Sequence, residues 1–328
     1  MDYEDFHRGR LLNYAREHVE ALRHDGRIVG VIAGGSLAHG GADRESDLDL
    51  LIVVEDLPSP ETRAGWLTRI TGLEVHPASL SRTEERGWDE FHTPRDDPEQ
   101  WMGTGGGLFY VPEAEVGRDI GRVADLLVAF LERGDVERLS HAEESLADLA
   151  HGIILHDPRK VLAAWQQRLA DYPESARTRL INHHWRQAEI AINEDIQRAV
   201  WRSDFLHAYD RRVEGVRHLV RMLFAMNRRY FRKGKSLHRL LPTFPTCPPD
   251  AWPRLIAASS EPDHMRAAAI LLTLARDTID LIEPPEVLDG REHWRKVCAS
   301  WAEQYGLDRG AGSNVPRWIA GLRPDTAL

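Results

Sequence analysis

Residues 31–54 of the chain read VIAGGSLAHGGADRESDLDLLIVV, and this stretch decides how the rest of the sequence is interpreted. An apolar run over residues 28–33 breaks at Gly34-Gly35-Ser36. After a gap of ten residues, Asp47-Leu48-Asp49 leads directly into aliphatic residues that continue to Val54. Aliphatic, β-branched runs bounded by glycine and aspartate are typical of buried strands. The pattern therefore predicts strands over residues 28–33 and 47–54 on either side of a glycine-rich turn.

The two aspartates of this stretch fall on one face of the predicted second strand. Side chains alternate along a strand, so Asp47 and Asp49 point one way while Leu48 and Leu50 point the other way. Two unpaired carboxylates on one face repel each other and resist burial. A divalent cation removes this cost, because carboxylate oxygens are preferred ligands of Mg²⁺. We therefore expect Asp47 and Asp49 to bind a metal ion.

The Gly34-Gly35-Ser36 turn predicts a phosphate site beside these carboxylates. Glycine allows the backbone to approach a ligand closely and to adopt positive φ. A serine at Ser36 can cap a following helix, and free N–H groups at such a position attract phosphate. A phosphate cradle next to a carboxylate pair that holds Mg²⁺ suits nucleotidyl transfer. The alternative is a loop with solvated aspartates beside an ordinary strand.

This combination, with its ten-residue gap and flanking strands, resembles the signature of the DNA polymerase β-type nucleotidyltransferase superfamily. The resemblance implies a third carboxylate on a later strand. The best match is Glu74, in a strand predicted over residues 73–78, where Glu replaces the commoner Asp as in some aminoglycoside-modifying relatives. By this resemblance Asp47, Asp49 and Glu74 are the catalytic and metal-binding residues, and Glu74 either completes the metal site or accepts the proton of the acceptor hydroxyl. Two Mg²⁺ ions, or Mn²⁺, take part in turnover. The alternative for Glu74 is a solvent-exposed carboxylate on an edge strand.

The composition is that of an ordinary globular protein. The length of 328 residues predicts two domains, and 42% hydrophobic with 29% charged residues is enough for a real core. No apolar run has transmembrane length, and the N-terminus is acidic. The two cysteines are far apart and suggest neither disulfides nor a zinc site. We therefore expect a cytoplasmic protein without membrane contact. A net charge of −10 argues against a large nucleic-acid footprint and favours a cationic or neutral substrate.

From Pro112 onward the sequence becomes helical in pattern, with apolar residues at helical spacing. We therefore predict an α+β protein. An N-terminal nucleotidyltransferase domain, residues 1–111, has a mixed sheet with flanking helices, and an all-α helical bundle, residues 112–328, closes the cleft for nucleotide and acceptor. The clearest helical stripes are Ile181, Trp185, Ala188, Ile192, Ile196 and Ala199, then Tyr209, Val213, Val216, Val220 and Leu223, then Met265, Ala269, Leu272, Ile279 and Ile282.

One segment of the helical half, residues 222–239 (MLFAMNRRYFRKGKSLHR), ends an apolar helix with a basic cluster. Such a cluster is a candidate triphosphate clamp. Together with GIILHDP at residues 152–158 and Tyr172-Pro173, it resembles an uncharacterised helical domain that follows such nucleotidyltransferase domains in bacteria. That resemblance implies that Asn227, Tyr230 and Lys235 bind the nucleotide. The alternative is a solvated basic helix end stabilised by the helix dipole.

Together the resemblances imply a nucleotidyltransferase of the EC 2.7.7 type that needs Mg²⁺. It would move a nucleoside monophosphate from a nucleoside triphosphate, with ATP as the expected donor, to a hydroxyl of a small acceptor, and release pyrophosphate. It is similar to antibiotic nucleotidyltransferases that act on aminoglycosides or lincosamides. The negative net charge of the chain suits a cationic acceptor. Two alternatives stay open: an acceptor on a macromolecule, namely a protein side chain or a tRNA end, and a non-catalytic nucleotide-binding module. The sequence does not indicate an oligomeric state.

Overall fold

The computed structural model describes residues 3–43, 46–80, 87–92, 105–232, 234, 236–284 and 287–304. The chain divides into two compact units. The first unit comprises residues 1–127 with 137–171, and the second comprises residues 128–136 with 172–328. A mixed sheet with helices belongs to the first unit and the second is helical, which confirms the predicted α+β class.

The first unit is built on a five-stranded sheet with the order β3-β4-β2-β1-β5. Strand β1 is antiparallel to β2 and β5, strand β3 is antiparallel to β4, and β2 and β4 are parallel. The strands are β1 (Ile28–Ala33), β2 (Leu48–Val54), β3 (Gly87–His92), β4 (Gly105–Pro112) and β5 (Ile153–His156). The helices up to the end of this unit are α1 (Tyr3–Leu22), α2 (Gly35–Ala38), α3 (Pro60–Thr71), α4 (Glu113–Gly121), α5 (Val123–Glu132), α6 (Val136–His151) and α7 (Val161–Ala170). Helix α5 continues into the second unit.

Alternation along β2 divides its side chains between two environments. Leu48, Leu50, Ile52 and Val54 are buried in one core with residues of α1 and α3, including Leu11, Ala15, Val19 and Leu22 of α1. Full burial of each such side chain contributes roughly 1.5–3 kcal/mol. The side chains between them face the other side, where Asp49 and Leu51 are partly buried and Val53 is fully buried. This core therefore fixes which face of β2 presents Asp49.

The second unit contains a succession of helices and one π-helical segment. The predicted stripes lie on helices, and the first is divided among α8, the π-helical segment and α9. The second stripe is buried only in its later part, since Tyr209 and Val213 are exposed. None of the described helices is both long and apolar enough to cross a membrane. The elements are α8 (Glu174–Glu189), the π-helix Ile190–Asp195, α9 (Ile196–Trp201), α10 (Phe205–Met226), α11 (Leu237–Leu240), α12 (Ala251–Ser260), α13 (His264–Asp280) and α14 (Arg291–Gln304).

The strand predicted over residues 73–78 is wrong. Helix α3 ends at Gly72, which has a left-handed conformation, and Pro77–Ser79 forms a 3₁₀ turn. Between them, the N–H groups of Leu73 and Val75 donate to threonine hydroxyls of α3 at 3.2 and 3.0 Å. These local side-chain hydrogen bonds take the place of a strand ladder.

Two strands join the sheet that the sequence did not assign to it. Residues 87–92 form edge strand β3, and residues 153–156 form edge strand β5. The sheet therefore includes chain from both sides of the boundary predicted at residues 111 and 112. The first compact unit accordingly extends to Asp171, while residues 128–136 belong to the second unit.

A buried ion pair connects α3 to edge strand β3. Arg63 Nη1 lies 3.0 Å from both carboxylate oxygens of Asp89, and the two side chains are 5% and 1% exposed. We expect Arg63→Leu to lower the free energy of unfolding by about 3–5 kcal/mol, because it leaves the Asp89 charge buried without its cation. On the same helix, Arg69→Leu removes a half-exposed pair with Asp25 and should cost less than about 1 kcal/mol. Denaturant titration measures both, and equal losses would contradict the assignment.

The second unit buries a histidine pair that predicts acid sensitivity. The Nδ1 atoms of His184 and His218 lie 3.0 Å apart. Burial lowers the pKa of His184 well below 6.5, and burial, with nearby His183 and Arg221, lowers the pKa of His218 to about 3. The unfolded chain takes up protons near pH 6.5 while the folded chain does not, so the free energy of unfolding should fall as the pH drops from 6.5 towards 3.

Denaturant titrations across this pH range measure the effect. The variant His218→Gln should have a shallower pH dependence than the wild type, because one buried proton site is gone. The exposed His207 on the same helix provides the control, and His207→Gln should leave the dependence unchanged. A dependence that is equally steep in all three proteins would contradict the role of the pair.

Candidate functional site

The two signature aspartates lie at the N-terminal end of β2. Asp49 is the second residue of the strand and is partly buried, while Asp47 directly precedes the strand and is exposed. The side chains of Leu48 and Leu50 are fully buried on the opposite face. The sequence therefore places a hydrophobic anchor on each side of Asp49, which directs its carboxylate to the opposite face of the sheet.

The glycine turn passes directly over Asp49. The Gly34 N–H donates to the main-chain oxygen of Asp49 at 2.9 Å. Gly35 has a φ of +54°, and a Cβ atom there would lie 2.1 Å from Asp49 Oδ2. Only glycine fits at this position, since any side chain would collide with the carboxylate. The structure thus brings together Gly34, Gly35 and Asp49 as predicted.

The donor set at this turn fits a metal–triphosphate group. The Oγ atom of Ser36 is buried and has no hydrogen-bond partner among the described residues. Within the described ranges, no three His, Cys, Asp or Glu side chains already form a possible metal site. Asp47 and Asp49 would therefore need substrate or water oxygens to complete a Mg²⁺ shell, which is how Mg²⁺ is commonly bound with nucleotides.

Glu74, the predicted third carboxylate, was expected to lie on a strand, but the structure has no strand over residues 73–78. It lies in the irregular segment after α3 and is exposed. It does not form a group of three possible metal ligands with Asp47 and Asp49. Its catalytic role stays a prediction that mutation must test.

A different carboxylate, Glu90, shares the face of Asp49. In the sheet register, Asp49 is opposite Gly107 on β4, and Gly107 is opposite Glu90 on β3. Directly opposite residues share a face, so these three residues form one row across three strands. The ends of the row are about 10 Å apart, since each strand spacing is about 4.8 Å. Gly107, in the middle of the row, has no side chain and is buried, whereas Glu90 at the edge is exposed.

Sequence reasoning missed Glu90 because β3 was not predicted. Its neighbour Asp89 has the opposite orientation and is buried with Arg63. In the sequence these two acidic residues are adjacent and show no alternation of polar and apolar residues, so the local pattern does not indicate a strand.

Asp148, on the last turn of α6, is a second residue that the sequence did not indicate. Its Oδ1 atom accepts a hydrogen bond from the Gly35 N–H at 3.2 Å and lies 3.0 Å from His39 Nε2. The Gly35 N–H, predicted to bind phosphate, is therefore engaged by a carboxylate of the protein. No local pattern could have found this contact, because the two residues are 113 positions apart in the chain.

The residues predicted in the helical half have structural contacts of their own. The Asn227 side chain donates to the Leu223 and Thr246 carbonyls at 2.8 Å and accepts from the Thr246 N–H at 2.9 Å. Tyr230 is buried, and its ring centroid lies 4.9 Å from that of Tyr172. Lys235 lies outside the described residues. Nucleotide binding by these three residues stays a prediction.

Comparisons with known proteins agree with both resemblances. Residues 15–84 match the nucleotidyltransferase domain family, and residues 139–235 match a domain of unknown function, DUF4037. Among solved structures, the chain is similar to a nucleotidyltransferase-like protein from Exiguobacterium sibiricum 255-15, with 13% sequence identity and a TM-score of 0.39 over 89% of this chain and 77% of that chain. Comparison with curated proteins gives no match. A nucleotidyltransferase domain followed by an uncharacterised helical domain is therefore confirmed.

The close approach of Gly35 to Asp49 gives a test with a matched control. We expect Gly35→Ala to abolish metal–nucleotide binding, because the new methyl group would displace the Asp49 carboxylate. Gly40 also has positive φ, at +72°, but among the described residues beyond its chain neighbours no atom lies within 4 Å of its Cβ position. Gly40→Ala therefore carries a similar backbone strain of about 1–2 kcal/mol without the collision. Calorimetric titration of Mg-ATP into both variants measures the difference, and equal affinities would contradict the steric argument.

Proposed function

We propose, from the nucleotidyltransferase domain that residues 15–84 form, that this protein transfers a nucleoside monophosphate from a nucleoside triphosphate to a hydroxyl group of a small acceptor. ATP is the expected donor, and pyrophosphate is the second product. The observation that carries the proposal is the turn at Gly35, which is pressed against Asp49 beside the Ser36 hydroxyl, a group without a partner in the part of the chain that the structure describes. A nucleotidyltransferase needs a metal-binding carboxylate next to a donor for the triphosphate.

Asp47 and Asp49 are the proposed ligands of Mg²⁺, with Mn²⁺ as an alternative. The metal, when bound, neutralises charge on the transferring phosphate and on the leaving pyrophosphate. Ser36 donates its hydroxyl proton to an oxygen of the β- or γ-phosphate, which satisfies its buried Oγ atom. The Gly34 N–H keeps Asp49 in place through its main-chain oxygen.

Glu90 is the proposed general base. It takes the proton of the acceptor hydroxyl while that oxygen attacks the α-phosphorus, and the bond from the α-phosphorus to the bridging oxygen breaks, so that pyrophosphate leaves with the electron pair. About two strand spacings separate Glu90 from Asp49. This separation suits proton transfer better than binding of the same ion.

The proposed acceptor is a cationic, hydroxylated small molecule such as an aminoglycoside-like natural product, which would make the reaction an antibiotic modification. Two features support this class. The chain has a net charge of −10, and the exposed Phe109 lies two residues beyond Gly107 on the face of Asp49 and Glu90. An aromatic ring beside a carboxylate suits an organic ammonium group.

The metal assignment is tested with Asp49→Asn. We expect pyrophosphate release to fall by about a hundredfold or more, because the transition state loses an anionic ligand of its metal. The exposed Asp56 follows the other end of β2, so Asp56→Asn should retain wild-type activity. The measurement combines each NTP with a panel of hydroxylated acceptors, with and without Mg²⁺, and identifies products by mass spectrometry. Wild-type turnover by Asp49→Asn would refute the assignment, and Mg-NTP binding without any product would favour the non-catalytic module.

The base assignment is tested by a matched pair of variants. We expect Glu90→Gln to lower kcat by about 10²–10⁴ with little change in nucleotide affinity. Glu74→Gln changes the same chemistry at the originally predicted position and should remain near wild type. Steady-state kinetics with a saturating acceptor measures both. The reverse pattern would return the role of the base to Glu74.

A further inference from the structure

Asp148 connects the end of α6 to both ends of the segment that carries Ser36. Its Oδ1 atom accepts from the Gly35 N–H at 3.2 Å, at the start of α2, and lies 3.0 Å from Nε2 of His39, which directly follows α2. The His39 side chain is 10% exposed. One carboxylate oxygen therefore contacts the residues on either side of helix α2.

The end of α6 is itself held firmly against the sheet. The Gly152 N–H donates to the Asp148 carbonyl at 2.8 Å, and a Cβ atom at Gly152 would lie 2.1 Å from Ile32 Cγ2 of β1. The Gln166 side chain donates to the carbonyls of Leu149 and Gly152 at 3.1 and 2.8 Å. These contacts fix the main chain at Asp148, so its side chain can act as a rigid support for the turn.

Gly35 lies between two carboxylates. A Cβ atom at Gly35 would collide with Asp49, and a Cβ atom at the preceding Gly34 would lie 3.4 Å from Asp148 Cγ. A phosphate could not accept from the Gly35 N–H while Asp148 does so, and the two anions would repel each other. The donor left beside them is the Ser36 hydroxyl, whose Oγ atom is buried without a partner among the described residues.

We propose that Asp148 is a positioning residue of the nucleotide site. It holds the Gly35 main chain and His39, and through them it sets the position of Ser36 Oγ relative to the Asp49 carboxylate. The triphosphate then binds through Ser36 and the metal at Asp47 and Asp49, and Asp148 stays on the Gly35 N–H. The nucleotide part of this inference rests on the proposed function, whereas the link between Asp148 and Gly35 does not.

The test compares three variants in the full chain. Asp148→Ala removes the acceptor, and Asp148→Asn keeps an oxygen of the same reach. Glu144→Gln is the control, one turn earlier on α6. The first readout is hydrogen exchange of the Gly35 amide followed by NMR, and the second is the Kd of Mg²⁺ with a non-hydrolysable ATP analogue. Asp148→Ser, with a shorter polar side chain, replaces Asp148→Ala if that variant does not fold.

We expect Gly35 exchange to be about tenfold or more faster in Asp148→Ala, because a hydrogen bond to a charged acceptor is lost. Its Kd for the nucleotide analogue should rise by about tenfold, whereas Asp148→Asn should lie within about threefold of wild type in both readouts. The control should match the wild type. A structural support without a role at the site would change the exchange rate but not the Kd.

Three results would overturn the inference. Unchanged Gly35 exchange in Asp148→Ala would remove the link between the carboxylate and the turn. Tighter nucleotide binding by Asp148→Ala would mean that Asp148 competes with a phosphate instead of positioning Ser36. An unchanged Kd with altered exchange would leave only a support for the fold. If the wild type itself binds no nucleotide, the proposed function fails together with the nucleotide part, and the exchange data still decide the link.

Discussion

The site depends on the contact between the Gly35 backbone and the Asp49 carboxylate. The positive φ of Gly35 and the missing side chain let the turn after β1 pass directly over a carboxylate of β2. The antiparallel pairing of β1 with β2, extended by the hydrogen bond from Gly34 to Asp49, fixes this approach. The Asp49 carboxylate and the glycine turn are therefore brought together by the sheet itself.

The remaining carboxylates reach the site from segments far away in the chain. Strand β3 supplies Glu90, and the buried pair of Arg63 with Asp89 connects that strand to α3. Helix α6 supplies Asp148, which occupies the Gly35 N–H. Gly35 and Asp49 are close in sequence, whereas Glu90 and Asp148 come from distant segments of the chain. Such an arrangement suits a reaction in which positioning and electrostatics provide most of the rate. It also explains why the edge strands β3 and β5 matter to a site that lies on β2.

The sequence predicted the parts of the site that depend on local pattern. The strands at 28–33 and 47–54 and the glycine turn follow from aliphatic runs and from backbone requirements within one segment. The failures have a different origin. The strand expected around Glu74 is replaced by hydrogen bonds to the hydroxyls of Thr68 and Thr71, which no apolar pattern reveals. Glu90 and Asp148 become visible only through sheet register and through a contact across 113 residues, and both are tertiary information.

The central claim is that a metal-bound triphosphate lies between Asp47, Asp49 and Ser36. The most direct measurement is a crystal structure of the full chain with Mn²⁺ and a non-hydrolysable ATP analogue, in which the anomalous signal of manganese locates the ion. The account predicts manganese bound by both aspartates and a β- or γ-phosphate oxygen within hydrogen-bond distance of Ser36 Oγ. Manganese and nucleotide bound together at a position that touches neither aspartate would contradict it.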